Sequence, residues 1–379
     1  MNKGVLFVKE IKVAHLTTVH HFNDTRIFHK ECKTLSKAGF KVVFIVPHDR
    51  DEVVDRIKVK AIAKPRGRRE RMSRTVWQVY RTALKENAAV YHFHDPELIT
   101  IGILLRLSGK KVVYDVHEDV PKQILSKEWI SKPLRSIIAK AVQGIEYLGA
   151  KVFTAVVPAT PKIGERFYKL NNCTVVVQNF PLLKELKVEG KPFTERPKAI
   201  TYVGGITELR GIYEMVKAMG LLPVESDAKL ILGGNFTPKE LEEKVKSLPG
   251  WNRVDYRGWL NRKQMAELFA NVRIGLVLFH PAPNHIYAQP NKLFEYMSAG
   301  VPVIASNFPL WKEIVEGNNC GLTVNPLDPQ EIAGAIKYLL DRPELCEEMG
   351  KNGRRAVEEK YNWEREKLKL LELYSHLLN

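Results

Sequence analysis

The sequence predicts an α/β chain of two Rossmann-like, doubly wound domains facing across a cleft. Three observations carry this expectation. Short apolar runs alternate with amphipathic stretches along almost all of the 379 residues, the pattern of parallel sheets with crossover helices. The length exceeds what one ordinary core fills and implies two domains. A segment rich in Lys, Glu and Pro, 182–197, divides the strands into two runs and reads as a linker. In such sheets ligands bind beyond the carboxyl ends of the strands, so functional residues are expected in the turns that follow them.

In the first half, strands are expected at 12–18, 41–47, 57–62, 90–94, 111–117, 152–157 and 174–178. Helical patterns fill most of the gaps, including one at 27–38. In the second half, strands fall at 199–203, 229–232, 254–256, 274–279, 302–305 and 322–324. Helices from 329 onward close the chain. The last, 363–378, is amphipathic through Leu368, Leu371, Tyr374 and Leu378, a helical spacing. The expected domains are 1–185 and 186–360, with a closing helix in 361–379 that packs back on the first.

With 45% hydrophobic and 27% charged residues, the composition is that of a soluble globular protein. There is no cationic-then-apolar leader and no run near the ~20 apolar residues that span a bilayer. Cys32, Cys173, Cys320 and Cys346 are scattered without CxxC spacing, which fits a reducing compartment and supports neither a metal site nor a disulfide framework. The cytoplasm is the expected location.

The charge is lopsided. Residues 1–185 hold 33 Lys and Arg against 18 Asp and Glu, whereas 186–379 hold 26 against 25. One half is built to meet something anionic. Its cations gather in 64–85, with Arg66, Arg68, Arg69, Arg71, Arg74 and Arg81, and in 121–147. The second region joins Lys122, Lys127, Lys132, Arg135 and Lys140 to Trp129, Leu134, Ile137, Ile138, Val142 and Ile145. Apolar residues at helical spacing beside cations suit a helix resting on an anionic bilayer; a core-facing helix gives the same periodicity. Nucleic acid would want stacking aromatics among the cations, and only Trp77 and Tyr80 qualify, so no nucleic-acid partner is expected.

The most informative stretch is 289–307, QPNKLFEYMSAGVPVIASN. Pro290 before a helix start and Gly300 past its end are the expected punctuation. The backbone amides of Asn291, Lys292, Leu293 and Phe294 lie in the first turn, where unpaired N–H groups and the helix dipole attract an anion. Glu295, four residues after Asn291, shares its face. A phosphate at that end and a ribose diol on the carboxylate would hold a nucleotide; a capped surface helix with a solvated Glu would look the same. The strand at 199–203 runs into Gly204-Gly205 and then Arg210-Gly211. Two glycines let backbone approach a ligand, and Arg210 offers a permanent cationic fork for phosphate oxygens. The turn is neither GxGxxG nor a P-loop.

In the first half, the strand at 111–117 ends in His117-Glu118-Asp119, placing ionisable groups at the cleft edge. The strand at 90–94 ends in His94-Asp95-Pro96, where Asp95 reads equally as a helix N-cap. The first strand leads into a polar loop with His20, His21, Asp24 and Arg26. Asp49-Arg50-Asp51 is a DxD in a solvated acidic loop, and His20, His21 and His29 lack zinc spacing, so no metal is expected.

Taken together, two α/β domains, the GG…RG turn and the PNKLFEYMSAGVPVIAS segment resemble retaining glycosyltransferases of family 4, which have the GT-B fold. The stretches HHFNDTRIFHKE, YHFHDPEL and VYDVHED resemble one branch of that family. The resemblance implies a sugar-nucleotide donor on the second domain and an acceptor, lipid-linked or saccharide, mainly on the first. Arg210 falls where the family holds the donor diphosphate, Glu295 on the second Glu of its E-x7-E motif, at the ribose, and His117 on the His near the donor sugar. Two departures stand out: Tyr287 replaces the first Glu of that motif, and Gly205 replaces a frequent Arg, with Lys292 placed to substitute for it. Base contacts are expected around Gly258 and Leu260, and His20, His21, Asp24, Arg26, His94, Asp95 and Glu118 are the acceptor-side candidates. No cofactor is expected beyond the donor substrate. The reading is a metal-independent hexosyl-type transferase of cell-surface polysaccharide or glycolipid assembly, peripheral on the inner face of the membrane. A sugar-nucleotide epimerase or hydrolase of the same fold, or a non-catalytic basic membrane- or nucleic-acid-binding protein, are the alternatives.

Overall fold

The computed structural model describes residues 11–127, 130–186 and 190–379, which form two compact units. The first comprises residues up to Asn179 together with Arg365–Asn379, and the second Phe180–Glu364. Trp129 lies outside the described residues.

The first unit carries seven strands: β1 (Lys12–Leu16), β2 (Lys41–Pro47), β3 (Glu52–Val54), β4 (Ile57–Ile62), β5 (Val90–Phe93), β6 (Lys111–Val116) and β7 (Ala155–Pro158). Their order is β3-β4-β2-β1-β5-β6-β7, parallel except for the β3–β4 pair. The chain winds outward from β1 in both directions, so the topological switch lies between β1 and β5. Val13, Val43, Val90 and Val113, all buried, are typical of strands covered on both faces.

The expected strand at 174–178 is not one. Its amides do pair with β7, through Val175 N to the Val156 carbonyl (3.0 Å) and Val177 N to the Pro158 carbonyl (3.1 Å). The other edge is claimed by a side chain, the Gln178 amide donating to Glu366 Oε2 at 2.8 Å, and the Val177 carbonyl accepts from Arg26 Nη1 at 2.9 Å. The expected strand at 152–157 starts late because Val152 still belongs to the preceding helix.

The second unit holds β8 (Ala199–Val203), β9 (Lys229–Gly233), β10 (Val254–Tyr256), β11 (Ile274–Val277), β12 (Val303–Ser306) and β13 (Gly321–Val324). All are parallel in the order β10-β9-β8-β11-β12-β13, with the switch between β8 and β11.

Two helices deserve placing. The closing helix Trp363–Leu378 buries Leu370, Leu373, Tyr374 and Leu377, while Leu368 is 61% exposed. The apolar stripe expected through Leu368 is therefore out of phase. Tyr374 pins the helix to the first sheet, its hydroxyl 2.9 Å from His92 Nδ1 on β5. The helix Lys132–Val152 turns Ala139, Glu146, Gly149 and Ala150 inward. It leaves Leu134, Ile137, Ile145 and Leu148 exposed in one row, with Lys140 and Lys151 beside it. Among the described residues no helix is long and apolar enough to cross a membrane.

Candidate active site

At the β8–β11 switch, β8 ends in Gly204 with φ +139°; a Cβ there would fall 2.2 Å from both Cε and Nζ of Lys292. The lysine therefore lies over bare backbone, its Nζ 5.6 Å from the Tyr202 ring centroid. Arg210 approaches the same turn. Its Nη1 donates to the Gly205 carbonyl at 3.1 Å, and its guanidinium lies 5.5 Å from the Phe279 ring. Gly211, φ +77°, is required for this return, since a Cβ would strike the Leu278 carbonyl at 2.1 Å. Among the described residues, neither cation has a carboxylate partner. Burial, then the charge of Arg210, pushes the Lys292 ammonium down to about 8, against a pull from Glu295.

The helix Asn291–Ser298 begins at this spot. Pro290 at its N-cap brings no polar side chain, so the leading amides of Asn291 and Lys292 are those of an uncapped helix start. The Leu293 amide turns back to the Pro290 carbonyl at 3.1 Å, and the Leu293 and Phe294 side chains are core. The cradle expected at 291–294 thus keeps the amides of Asn291 and Lys292, since Leu293 turns inward and intrahelical pairing begins at Phe294.

Glu295 is nearly buried and not solvated. Its Oε1 accepts from Arg262 Nη1 at 2.6 Å, and Arg262 Nε donates to Glu185 Oε1 at 2.6 Å. Despite its burial, the charges of Glu295 and Glu185 hold Arg262 firmly protonated. Arg262 and Glu185 went unnoticed in the sequence because nothing in their local pattern marks a pair 77 residues apart. Gly258, φ +64°, offers its carbonyl to the Gly234 amide at 2.6 Å. Leu260 packs beneath Gly233 and borders a cavity of about 550 Å³ with Ile231, Arg257 and Gln264. Tyr287 stands exposed.

The first unit gathers its polar residues at the carboxyl ends of β1, β5 and β6. Asp115 on β6 is the hub. Its Oδ1 accepts from Arg26 Nη2 (2.7 Å), and its Oδ2 from Arg26 Nε (2.9 Å), His94 (3.1 Å) and His117 (3.0 Å). His94 also meets His15 at 3.0 Å. Asp24 caps the helix that begins at Thr25, accepting from the Arg26 and Ile27 amides, and its other oxygen lies 3.1 Å from His20 Nδ1. Burial disfavours charge on His20, but Asp24 and Asp95 outweigh it and raise its pKa. The His20 and His117 rings stand 5.0 Å apart.

The reading of Asp95 as a helix N-cap needs correcting, and three acceptor-side candidates, Arg26, His21 and Glu118, sit differently from the ligand-facing positions expected. Arg26 is buried and bonds Asp115 and the Val177 carbonyl, with Glu31 Oε1 3.1 Å from its Nε, so it supports the cluster from within. His21 is exposed and bonds Asn23, outside the cluster. Glu118 is exposed and pairs with Gln123. Asp95 makes no capping bond with its side chain; Oδ2 takes the Thr17 hydroxyl at 2.7 Å and the Thr18 amide at 2.6 Å. Sequence reading missed His15, Glu31, His92 and Asp115. Their one signal is an ionisable residue inside an otherwise apolar strand or helix face, which a core residue also gives.

Glu31, His92, His94 and Asp115 bring ligand-type atoms within 4.8 Å of one another. Both Asp115 oxygens are already held by Arg26, and burial with the Asp115 charge pushes the Glu31 carboxyl well up, against the pull of Arg26. The cluster is thus an ionic hydrogen-bond network, with Glu31 Oε1 3.1 Å from Arg26 Nε at its back.

Comparison with known proteins bears on the family and the fold. The sequence model described as Glycosyltransferase Family 4 matches residues 25–180, and that of Glycosyl transferases group 1 matches 184–356. The chain is 26% identical over 171 residues to the MMP alpha-(1->4)-mannosyltransferase of Mycolicibacterium hassiacum, covering 45% of this chain and 40% of that protein. The chain's match spans about half the length, or less, of the curated relatives. Among solved structures, sucrose-phosphate synthase from Thermosynechococcus elongatus shares the fold with TM-score 0.79 at 20% identity, over 97% of this chain and 99% of that one. Anabaena HepE in complex with UDP-glucose gives TM-score 0.74 at 16% identity, over 97% and 100%.

Proposed function

The chain belongs to the family-4 glycosyltransferases of GT-B fold, and from that premise we propose that it moves a sugar from a nucleoside-diphosphate donor to a saccharide or lipid-linked acceptor. The observation that carries this reading is the meeting of two unneutralised cations, Arg210 and Lys292, at an uncapped helix start. Mutual repulsion and desolvation make that arrangement unfavourable until an anion arrives. A departing diphosphate gains negative charge as the glycosidic bond breaks, so fixed cations bind it more tightly than the intact donor and lower the barrier. Arg210 and Lys292 supply that charge without a metal ion. The Glu295 oxygen that Arg262 leaves over takes a ribose hydroxyl, and Gly258 and Leu260 frame the base. UDP-glucose, the ligand of the HepE structure, is the first donor to try.

His20 and His117, part-exposed at the strand ends of the first unit, face the sugars, and the expected contacts from His94 and Asp95 become support from behind, since both side chains are buried. Retention of configuration follows the family resemblance. The site's carboxylates are committed, Glu295 to Arg262, Asp95 to Thr17 and Thr18, and Asp115 to Arg26. That disfavours an epimerase or hydrolase, which needs free general acid–base groups. A lipid-linked acceptor, with the protein peripheral on the inner, cytoplasmic membrane face, is supported by the exposed Leu134–Ile137–Ile145–Leu148 row with lysines beside it.

Thermal-shift measurements against UDP, GDP, ADP, CMP and their sugar conjugates test donor binding, because a ligand of the folded state raises Tm. Product analysis separates transfer from hydrolysis or epimerisation. Sugar lost or altered with donor alone, and no adduct with a polyprenyl- or saccharide-type acceptor, would overturn the proposal.

A further inference from the structure

We propose that Asp115 is the positioning residue for His117: clamped by Arg26, it turns Nε2 of that imidazole inward and leaves Nδ1 outward to meet a sugar hydroxyl. The proposal rests on the glycosyl-transfer reading above and adds a residue that the sequence motifs do not assign.

What each atom can donate decides the arrangement. Arg26 holds Asp115 through two parallel bonds, Nε to Oδ2 at 2.9 Å and Nη2 to Oδ1 at 2.7 Å, so the carboxylate cannot turn. Burial works against charge on Asp115, but the charge of Arg26 outweighs it, helped by hydrogen bonds from His117 and His94, and holds the carboxyl well below its ordinary range. An ionised carboxylate only accepts. Oδ2 lies 3.0 Å from His117 Nε2 and 3.1 Å from His94 Nδ1, so both nitrogens carry hydrogen.

The remaining protons then fall into place. His94 keeps its lone pair on Nε2, which accepts from His15 Nδ1 at 3.0 Å. Burial keeps His94 neutral, its pKa lowered to about 4 against the opposing pull of Asp115. His94 Nδ1 and His117 Nε2 are 3.1 Å apart. Two donors so close are tolerated because one carboxylate oxygen serves both. His117 is partly exposed, and among the described residues its Nδ1 has no partner. The site therefore offers a hydrogen-bond acceptor at that point, and Asp115 is what selects it. Without the carboxylate charge neither tautomer nor ring orientation is specified.

Full-length protein labelled with ¹⁵N-histidine, with resonances assigned through His94→Gln and His117→Gln, reports the tautomers by NMR. The unmutated chain is expected to show His94 as Nδ1–H, the minor form of free imidazole, and His117 as Nε2–H. Finding His94 as Nε2–H, or His117 exchanging between tautomers, overturns the proposal. This measurement needs neither activity nor a buried substitution. In kinetics, Asp115→Asn is expected to lower kcat on the order of 100-fold, the scale of a misplaced group, with donor KM unchanged. Asp115→Asn combined with His117→Ala should be no slower than His117→Ala alone. Additive losses would mean that Asp115 acts only on the fold. A chain with the stated tautomers that transfers no sugar from any nucleotide donor would sink the transfer reading and leave the Asp115 geometry standing.

Discussion

The Lys292 ammonium occupies the volume that a side chain on Gly204 would need, 2.2 Å from where a Cβ would sit. Gly204→Ala therefore acts twice. It adds a side chain at φ +139°, a strain of about 1–3 kcal/mol, and it expels the lysine from the turn. The expected result is a lower Tm together with loss of the thermal response to nucleoside diphosphate. Gly39→Ala is the control. It sits at φ +97° with nothing within 4 Å of its Cβ, so it should lower Tm and leave the nucleotide response intact. A full response in Gly204→Ala would remove Lys292 from the diphosphate site.

Lys292 also sets a pH dependence. Its folded pKa, about 8, lies below the ordinary 10.5. Between those values the unfolded chain binds more protons, so unliganded stability rises with pH across that window. Below it the buried charge is a cost of up to about 3 kcal/mol, from ~1.4 kcal/mol per pKa unit. Lys292→Met should accordingly raise Tm at pH 7, with the gain fading above pH 10. Diphosphate affinity should move the other way. It needs the charged lysine and should fall as pH rises past about 8, roughly tenfold per pH unit, while Lys292→Arg should flatten the profile. Calorimetric titration from pH 7 to 9.5 decides this.

The alternation of strand and helix was legible because buried parallel strands are continuous apolar runs and their helices keep a 3.6-residue period. The segments proposed for the donor could be picked out for a related reason. Gly204, Arg210 and Glu295 sit in short segments whose spacing itself carries the chemistry. What stayed hidden were partners far apart in the chain. Arg26 reads as a ligand-seeking cation until Asp115, 89 residues on, is seen to hold it. Glu295 reads as solvated until Arg262 and Glu185 appear beside it. The phase of the closing helix failed for a simpler cause. Seven leucines and tyrosines among its 16 residues fit more than one stripe, and only packing against β5 chooses.

That choice is testable at Tyr374. Its hydroxyl is the partner of His92 Nδ1, at 2.9 Å, while His92 Nε2 is buried without one. Tyr374→Phe would leave a fully buried imidazole without a protein partner at either nitrogen, a cost of about 1–3 kcal/mol. Urea denaturation should show a lower midpoint by that amount. Leu368→Ala, on the exposed side of the same helix, should stay within about 0.5 kcal/mol. Equal losses at both positions would contradict the observed packing.

The outward row on the helix Lys132–Val152 separates a membrane surface from an accident of composition. Ile137 is 64% and Leu148 65% exposed, so neither contributes much to the core, and a double change to Glu should leave Tm nearly unaltered. On a bilayer the same change removes two apolar anchors and sets two negative charges against anionic headgroups. Burying a leucine-sized side chain is worth roughly 1.5–3 kcal/mol, so two together should weaken vesicle binding on the order of 100-fold or more. Co-sedimentation with vesicles containing phosphatidylglycerol should show unmutated protein pelleting at low salt and the Ile137→Glu/Leu148→Glu protein remaining in solution. Raising ionic strength should release part of the unmutated protein, because Lys140 and Lys151 act through screened charge, and leave a salt-resistant fraction held by the leucine and isoleucine row. Transfer to a short water-soluble acceptor should be unchanged in the double variant while transfer to a vesicle-embedded acceptor falls. If unmutated protein fails to pellet with anionic vesicles at low salt, the lipid-linked acceptor loses its support and a soluble saccharide takes its place.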